Sequence, residues 1–275
     1  MMQLKTCKLK VKNSIHTTPF ILLAFFLALG PACARRWDRL SGEEKVVLHH
    51  ILDRWETWVP AMKNKGRAPL MTFEELYQGL GAGERAFLGR VRAVHPTGGL
   101  ASYLGGPGPG VKFKRIKNQR VTRNGRPEKL GPQVLPKKAY KAYKKMMKAM
   151  KKDLGKKLLV ESGYRSPAYQ LYTFLYYLPR HRYSLAETGR WVALPGYSEH
   201  GAPHRQAIDF INEEGINGDD EGQTAEDFER LPEYAWLQKN AGRFGFELSY
   251  PRGRPGVTFE PWHWRYAEKK GTGYF

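Results

Sequence analysis

The sequence predicts an α+β protein with an additional helical domain on its N-terminal side. Between residues 35 and 95, capping signatures precede apolar residues at helical spacing, whereas after Gly155 short strand-like and helix-like segments alternate. The chain has 275 residues, 41% of them hydrophobic, which is enough to form a packed core. Dinucleotide-binding and phosphate-loop glycine patterns are absent, so the sequence gives no support to a nucleotide-dependent enzyme.

The first 34 residues have the layout of a secretory signal peptide. Four lysines precede an apolar run over 20–29, and small residues on both sides of Cys33 form a cleavage motif. The run is too short for a permanent membrane anchor. We therefore expect residues 1–34 to be removed and the protein to be exported to the periplasm or cell envelope. An uncleaved anchor, or a lipoprotein attached through Cys33, is the alternative.

The charge predicts an anionic partner. The formal net charge is +20, and the four lysines of the N-terminal segment are a small part of the 46 basic residues. Such an excess favours binding to polyanions. Because export argues against nucleic acid, we expect an anionic envelope polymer or a membrane surface. The only cysteines, Cys7 and Cys33, lie in the segment expected to be removed, so we expect no disulfide.

Residues 35–95 are predicted to form a helical accessory domain. Ser41 and Glu44 have capping-box spacing before an apolar-periodic run, and Thr72 and Glu75 repeat that spacing. A third helix is expected in the stretch "GAGERAFLGRVRAV".

Residues 96–134 are predicted to be a linker that is first rich in glycine and proline and then basic. In its basic part, 111–134, apolar and basic residues alternate. This alternation indicates an edge hairpin around Asn124 and Gly125. The hairpin is either a cationic patch for an anionic polymer or a solvated ribbon.

The remaining chain, 135–275, supplies the α+β part. A helix is expected over 136–154, with Gly155 at its C-terminal end. Its apolar stripe is typical of core packing. Its opposite face is rich in lysine and either contacts a polyanion or is solvated. Strands are expected in "KLLVESGY", "RQAIDFIN", "RFGFELSYP" and "VTFEPWHWRY", with helices in "SPAYQLYTFLYYLPR" and between 224 and 240. The apolar stripe consists of Tyr140, Tyr143, Met147 and Met150.

Histidines and a carboxylate in this part indicate a metal site. A catalytic zinc site uses three protein ligands and leaves a position for water. His181 lies between arginines and is expected in an exposed loop, which leaves His200, His204 and His263, with Asp209 on a strand. The residues alone do not decide between His200 and His204.

Glu260 and His263 form a second indication of hydrolytic chemistry. A spacing of three on a regular strand would direct them to opposite faces. Pro261 between them favours a bend that brings both towards one cavity. One would then bind metal while the other accepts a proton from water. The alternative is an aromatic core strand with a surface glutamate.

Four ordered motifs resemble those of the VanY-like zinc D-alanyl-D-alanine carboxypeptidases, which belong to the LAS metallopeptidases and share a hedgehog-like fold. The motifs are "SGYRSPAYQ" (162–170), "PGYSEH" (195–200), "AIDF" (207–210) and "FEPWHWRY" (259–266). The resemblance covers roughly 135–268. It implies a small antiparallel sheet with flanking helices and identifies 135–275 as a zinc peptidase domain.

The resemblance also implies roles for individual residues. The implied zinc ligands are His200, Asp209 and His263. Glu260 is the implied catalytic base, and Arg165 is the implied cation that polarises the scissile carbonyl, with a structural salt bridge as the alternative for Arg165. The implied pocket residues are Ser198 and Gln170.

One spacing departs from the family pattern. The family usually places the aspartate seven residues after the first histidine, whereas here nine residues separate His200 from Asp209. The two extra residues, assigned to Pro203 and His204, would lengthen the loop. The turn in "PGYSEH" favours His200 as the ligand and His204 as a loop residue near the pocket mouth. His204 as the ligand, or loss of the site, is the alternative.

The predicted function is that of an exported zinc-dependent D,D-carboxypeptidase that hydrolyses the terminal D-Ala-D-Ala bond of peptidoglycan stem peptides. A peptidoglycan endopeptidase with the same catalytic groups is one alternative. A non-catalytic cell-wall binding protein whose site has lapsed is the other.

Overall fold

A computed structural model describes residues 38–95, 106–123, 125–253 and 258–267. The predicted signal peptide and most of the glycine- and proline-rich stretch therefore lie outside the described residues. Within the described ranges, no helix combines the length and the apolar character needed to cross a membrane.

The N-terminal helices begin where the sequence predicts. Both capping boxes are present: Ser41 accepts a hydrogen bond from the backbone of Glu44, Thr72 accepts one from that of Glu75, and both glutamates return the bond. The predicted second helix is a single turn, because its capping box is followed by only four helical residues. The helices are α1 Gly42–Trp55, α2 Trp58–Asn64, α3 Phe73–Leu76 and α4 Ala82–Arg92.

The basic segment is folded into strands. The predicted hairpin around Gly125 is confirmed, with Arg123 paired to Arg126 across the turn. A second antiparallel pair leads directly into the long helix α5, which ends at Gly155 in a left-handed conformation with φ 72°. The elements are β1 Phe113–Ile116, β2 Arg120–Arg123, β3 Arg126–Lys129, β4 Gln133–Pro136 and α5 Lys137–Leu154.

A four-stranded antiparallel sheet forms the centre of the C-terminal part, with strand order β5-β6-β8-β7. The predicted small antiparallel sheet with flanking helices is thereby confirmed. Its strands are β5 Leu159–Ser162, β6 Ala207–Ile211, β7 Phe246–Leu248 and β8 His263–Tyr266, and the helices around it are α6 Pro167–Tyr177, α7 Leu185–Trp191, α8 Ala225–Glu229 and α9 Pro232–Asn240.

The sheet presents two chemically different faces because successive side chains of a strand alternate between them. In β6, Ile208 and Phe210 are fully buried in the core that α5 and α9 cover. Tyr143, Met147 and Met150 of the predicted stripe are buried in the same core. Asp209, between the two apolar residues, points to the opposite face, so the polar site lies on the side of the sheet away from α5.

The N-terminal helices share a buried core with α6. Leu48 and Ile51 of α1 belong to the same apolar cluster as Leu171 and Phe174 of α6. The predicted division into domains at 35–95, 96–134 and 135–275 stays a prediction. The packing nevertheless places the N-terminal helices against α6 of the C-terminal part, and the boundary at residue 135 falls within β4.

We expect Leu48→Ala to lower the free energy of unfolding by about 2–5 kcal/mol, because it removes a fully buried side chain from this shared core. Urea unfolding followed by circular dichroism and tryptophan fluorescence measures the change. A shared core predicts one transition that shifts as a whole. Separate transitions, of which only the weaker shifts, would mean that the two parts unfold independently.

Candidate metal centre and active site

Two antiparallel strands bring the first two candidate ligands together. In the β6–β8 register, Asp209 lies directly opposite His263. Asp209 Oδ1 is 2.8 Å from His263 Nδ1, and Asp209 Oδ2 is 3.0 Å from His200 Nε2. Within the described residues, His200, Asp209 and His263 form a group whose ligand atoms all lie within 4.8 Å of one another.

His200 is held by the chain around it. It lies in a 3₁₀ turn, Glu199–Gly201, which Ser198 caps by accepting a hydrogen bond from the backbone of His200. His200 Nδ1 lies 2.8 Å from the carbonyl of Gly163, which leaves Nε2 to face Asp209. A side chain at Gly163 would clash, since a Cβ there would lie 2.4 Å from the Val134 carbonyl oxygen.

His263 is held by a carboxylate that is itself fixed. Its Nε2 lies 3.1 Å from Glu199 Oε2. Glu199 also accepts hydrogen bonds from Ser249 Oγ at 2.6 Å and from Arg265 Nη1 at 3.0 Å. The Tyr250 ring packs on the imidazole at 4.7 Å between ring centres. This arrangement orients Nδ1 of His263 towards Asp209.

The electrostatics of the cluster are dominated by carboxylates. Burial lowers the pKa of His263, but the charges of Asp209 and Glu260 and the hydrogen bonds to Asp209 and Glu199 raise it to about 10. For Asp209, burial acts to raise the pKa, but the charges of the two imidazoles and their hydrogen bonds hold it well below its usual range. Despite burial, hydrogen bonds from His263 and Ser249 lower the pKa of Glu199 to about 2.

These residues fit a zinc ion. Two imidazole nitrogens and one carboxylate oxygen are a donor set that catalytic zinc sites use. The second nitrogen of each histidine is engaged by an oxygen acceptor, Gly163 or Glu199, which is how proteins fix the tautomer and orientation of a ligating imidazole. The surplus of negative charge around the imidazoles is what a dication would neutralise.

Glu260 lies beside the cluster because the chain bends before β8. The backbone N–H of His263 donates to the carbonyl of Glu260 at 3.1 Å, which closes a turn that contains Pro261. Glu260 Oε2 is 3.8 Å from His263 Nδ1. Burial and the charges of Asp209, Asp219 and Glu199 outweigh the opposing charge of His263 and raise the pKa of Glu260 to about 7. A carboxylate of this kind is suited to accept and return a proton near neutral pH.

Arg165 is placed by short contacts on two sides. Its guanidinium donates to Gln170 Oε1 at 2.9 Å and to Ser162 Oγ at 3.0 Å. Its backbone N–H donates to the His200 carbonyl at 3.0 Å, so the residue is tied to the ligand segment. Among the described residues Arg165 makes no ion pair, which gives no support to the alternative of a structural salt bridge.

The other three residues predicted from the sequence, Gln170, Ser198 and His204, lie in different surroundings. Gln170 is 1% exposed, and its side-chain amide contacts Arg165 and the Ala193 carbonyl. Its contact with substrate stays a prediction. Ser198 is buried beneath the His200 turn, and its substrate contact stays a prediction. His204 is exposed and is not a member of the cluster, in contrast to His200.

The lengthened loop leaves the cluster intact. Buried Gln206 donates from its side-chain amide to the carbonyls of His200 and Ala207, at 3.3 and 2.7 Å. This side chain fixes both ends of the loop that carries the two extra residues. The ligand segment and β6 are therefore held in place independently of the loop length.

Glu199 is the functional residue that sequence reasoning missed. It lies inside the quoted motif "PGYSEH", next to His200, but its carboxylate contacts His263, 64 residues away. The sequence indicated a role for Glu199 only by placing a charged residue next to a predicted metal ligand. The structure was needed to show which histidine it holds.

We expect Glu199→Gln to weaken zinc binding about 10- to 100-fold, the usual cost of losing a partner that orients a metal ligand. Competition with a chromophoric chelator measures the zinc affinity. Glu247→Gln is the matched control, because Glu247 contacts the same Arg265 but is exposed. Equal loss in both variants would show that disturbance of Arg265, and not the contact to His263, causes the effect.

Comparisons with known proteins identify curated relatives of similar sequence. The chain is 34% identical over 148 residues to YodJ of Bacillus subtilis (strain 168), a match over 53% of this chain and 50% of that protein. It is 41% identical over 85 residues to a D-alanyl-D-alanine carboxypeptidase of Enterococcus faecalis, over 30% of this chain and 27% of that enzyme. The chain thus spans half or less of the length of these curated relatives.

Among solved structures, the vancomycin-resistance D,D-pentapeptidase VanY from a VanB-type cassette, in complex with Zn(II), is similar with 24% identity. The match has a TM-score of 0.41 and covers 62% of this chain and 86% of that one.

The family model described as VanY, D-alanyl-D-alanine carboxypeptidase, matches residues 132–269. This stretch contains β4, all four strands of the central sheet and every residue of the cluster described above. It also agrees with the extent of the resemblance in the sequence. The chain belongs to the VanY family.

Proposed function

We propose that the protein is a zinc-dependent D,D-carboxypeptidase that releases the terminal D-alanine from peptidoglycan stem peptides. The observation that carries the proposal is the convergence of His200, Asp209 and His263 on one face of the sheet, with Glu260 Oε2 3.8 Å from His263 Nδ1. Membership of the VanY family supports the substrate class.

The chain's own residues account for the proton and charge movements of amide hydrolysis. Glu260 takes a proton from the attacking water and returns it to the leaving amine, a task that suits a carboxylate whose pKa is about 7. Arg165 faces the carbonyl oxygen and stabilises its developing negative charge, since its guanidinium is always charged and is held by Ser162 and Gln170. When bound, zinc supplies Lewis-acid polarisation and a lowered pKa for water.

Purified protein and a pentapeptide ending in D-Ala-D-Ala test the proposal. We expect one D-alanine to be released per peptide, the activity to be abolished by a chelator, and zinc to restore it. Mass spectrometry of the products reports which bond is cleaved. Cleavage at an internal bond of stem peptides or cross-links would show that the protein is an endopeptidase instead. A zinc-loaded protein that cleaves neither kind of bond would be a wall-binding protein.

We also propose that the protein is exported and acts in the periplasm or cell envelope. The lysines and short apolar run within residues 1–34 support this location. Fractionation followed by mass measurement of the purified chain tests it, with loss of residues 1–34 as the expected result. A full-length chain recovered from the cytoplasm would contradict it.

A further inference from the structure

The outer face of α5 is a continuous cationic surface. Eight lysines occupy the side of the helix opposite its buried residues, and all eight are exposed. Seven of them, all except Lys138, take part in no ion pair among the described residues. The eight are Lys137, Lys138, Lys141, Lys144, Lys145, Lys148, Lys151 and Lys152.

This surface is separate from the candidate active site. The buried side of α5, including Tyr143 and Met146, packs on the sheet face that carries Ile208 and Phe210. Asp209 points to the other face of the sheet. The lysines therefore lie on the opposite side of the sheet from the metal cluster, so they cannot serve a substrate bound at that cluster.

A concave region accompanies the lysine face. A cleft of about 470 Å³ lies between α5 and the end of β8, and its wall includes Lys138, Lys141, Lys145 and Arg243. The charged side chains that line the cleft are all basic. The guanidinium of Arg243, anchored to Asn240 Oδ1 at 2.9 Å, adds the forked donor geometry that suits phosphate oxygens.

We propose that α5 and this cleft bind a linear phosphodiester polymer of the cell wall, so that the protein is retained on the wall while its active site, on the other face of the sheet, stays free for stem peptides. One or two lysines at each turn of α5 place positive charge about every 5.4 Å along the helix, which complements a chain with a phosphate in each repeat. The concavity favours a chain over a flat bilayer. Two half-buried aromatic residues, Phe244 and Tyr266, also line the cleft, so binding of single-stranded nucleic acid is compared directly in the test.

The location of the polymer in the wall rests on the proposed function, but the binding test does not require activity. Full-length protein is titrated into fluorescently labelled, deacylated poly(glycerol phosphate), and anisotropy reports binding at low and at physiological salt. The test variant is Lys141→Gln/Lys145→Gln/Arg243→Gln. The control, Arg54→Gln/Lys63→Gln/Lys65→Gln, removes the same charge from exposed positions on α1 and its neighbourhood.

We expect the test variant to lose about tenfold or more in affinity and the slope of log affinity against log salt to fall by about 2, as for three lost phosphate contacts. We expect the control to bind within about twofold of the wild type, and both variants to cleave a soluble pentapeptide normally. Equal losses in both variants would overturn the proposal, because net charge alone would then explain binding. Tighter binding to phosphatidylglycerol vesicles or to single-stranded DNA than to the polymer would also overturn it.

Discussion

Glu260→Gln is expected to lower kcat for D-alanine release by roughly a thousandfold, within the range measured for loss of a general base. The substitution keeps the shape of the side chain but removes its ability to take a proton from water. Steady-state release of D-alanine from the pentapeptide measures the change. The zinc content of the variant should remain that of the wild type, because Glu260 is not among the three residues that form the ligand group.

The matched control for this substitution is Glu213→Gln, which neutralises a partly exposed glutamate that pairs with Lys157 outside the site. It should retain activity within about twofold, since exposed ion pairs contribute little. A Glu260→Gln enzyme that keeps more than a tenth of the wild-type kcat would rule out Glu260 as the base. Loss of zinc along with activity would instead make it a ligand.

Arg165→Met should reduce kcat/KM by about 10²–10³-fold, the typical effect of removing one donor to a developing oxyanion. Arg165→Lys keeps the charge but cannot contact Ser162 and Gln170 with one planar group, so we expect it to recover only part of the loss. Kinetics with the pentapeptide measure both variants.

Gln170→Ala separates the role of Arg165 from that of its support. It leaves the guanidinium in place but removes one of its two side-chain contacts, so we expect a smaller loss than in Arg165→Met. The thermal unfolding of Arg165→Met should remain close to that of the wild type. An inactive Arg165→Met protein that is also strongly destabilised would indicate a structural role instead.

Much of the site could be predicted from the sequence because its residues lie in short, ordered segments. The bend at Pro261 predicted that Glu260 and His263 face one cavity, and the turn in "PGYSEH" favoured His200 over His204. The structure places these residues accordingly. The four strands of the sheet were also predicted from local patterns, whereas their assembly into one antiparallel sheet was implied by the family resemblance.

The rest depends on contacts between distant parts of the chain, which local patterns do not encode. The Glu199–His263 contact spans 64 residues, and the support of His200 by Gly163 spans 37. Gln170 is held by Arg165 and by the Ala193 carbonyl, 23 residues away, and its predicted place in the pocket stays a prediction. The shared core of α1 and α6 was likewise hidden, because an apolar helical stripe does not specify its partner.

Zinc content measured by elemental analysis on purified ligand variants tests the central claim most directly. The expected result is about one zinc per chain in the wild type and in His204→Ala, and a large loss of zinc in His200→Ala, Asp209→Ala and His263→Ala. A His200→Ala protein that retains its zinc, or a His204→Ala protein that loses it, would contradict the assignment of the metal centre.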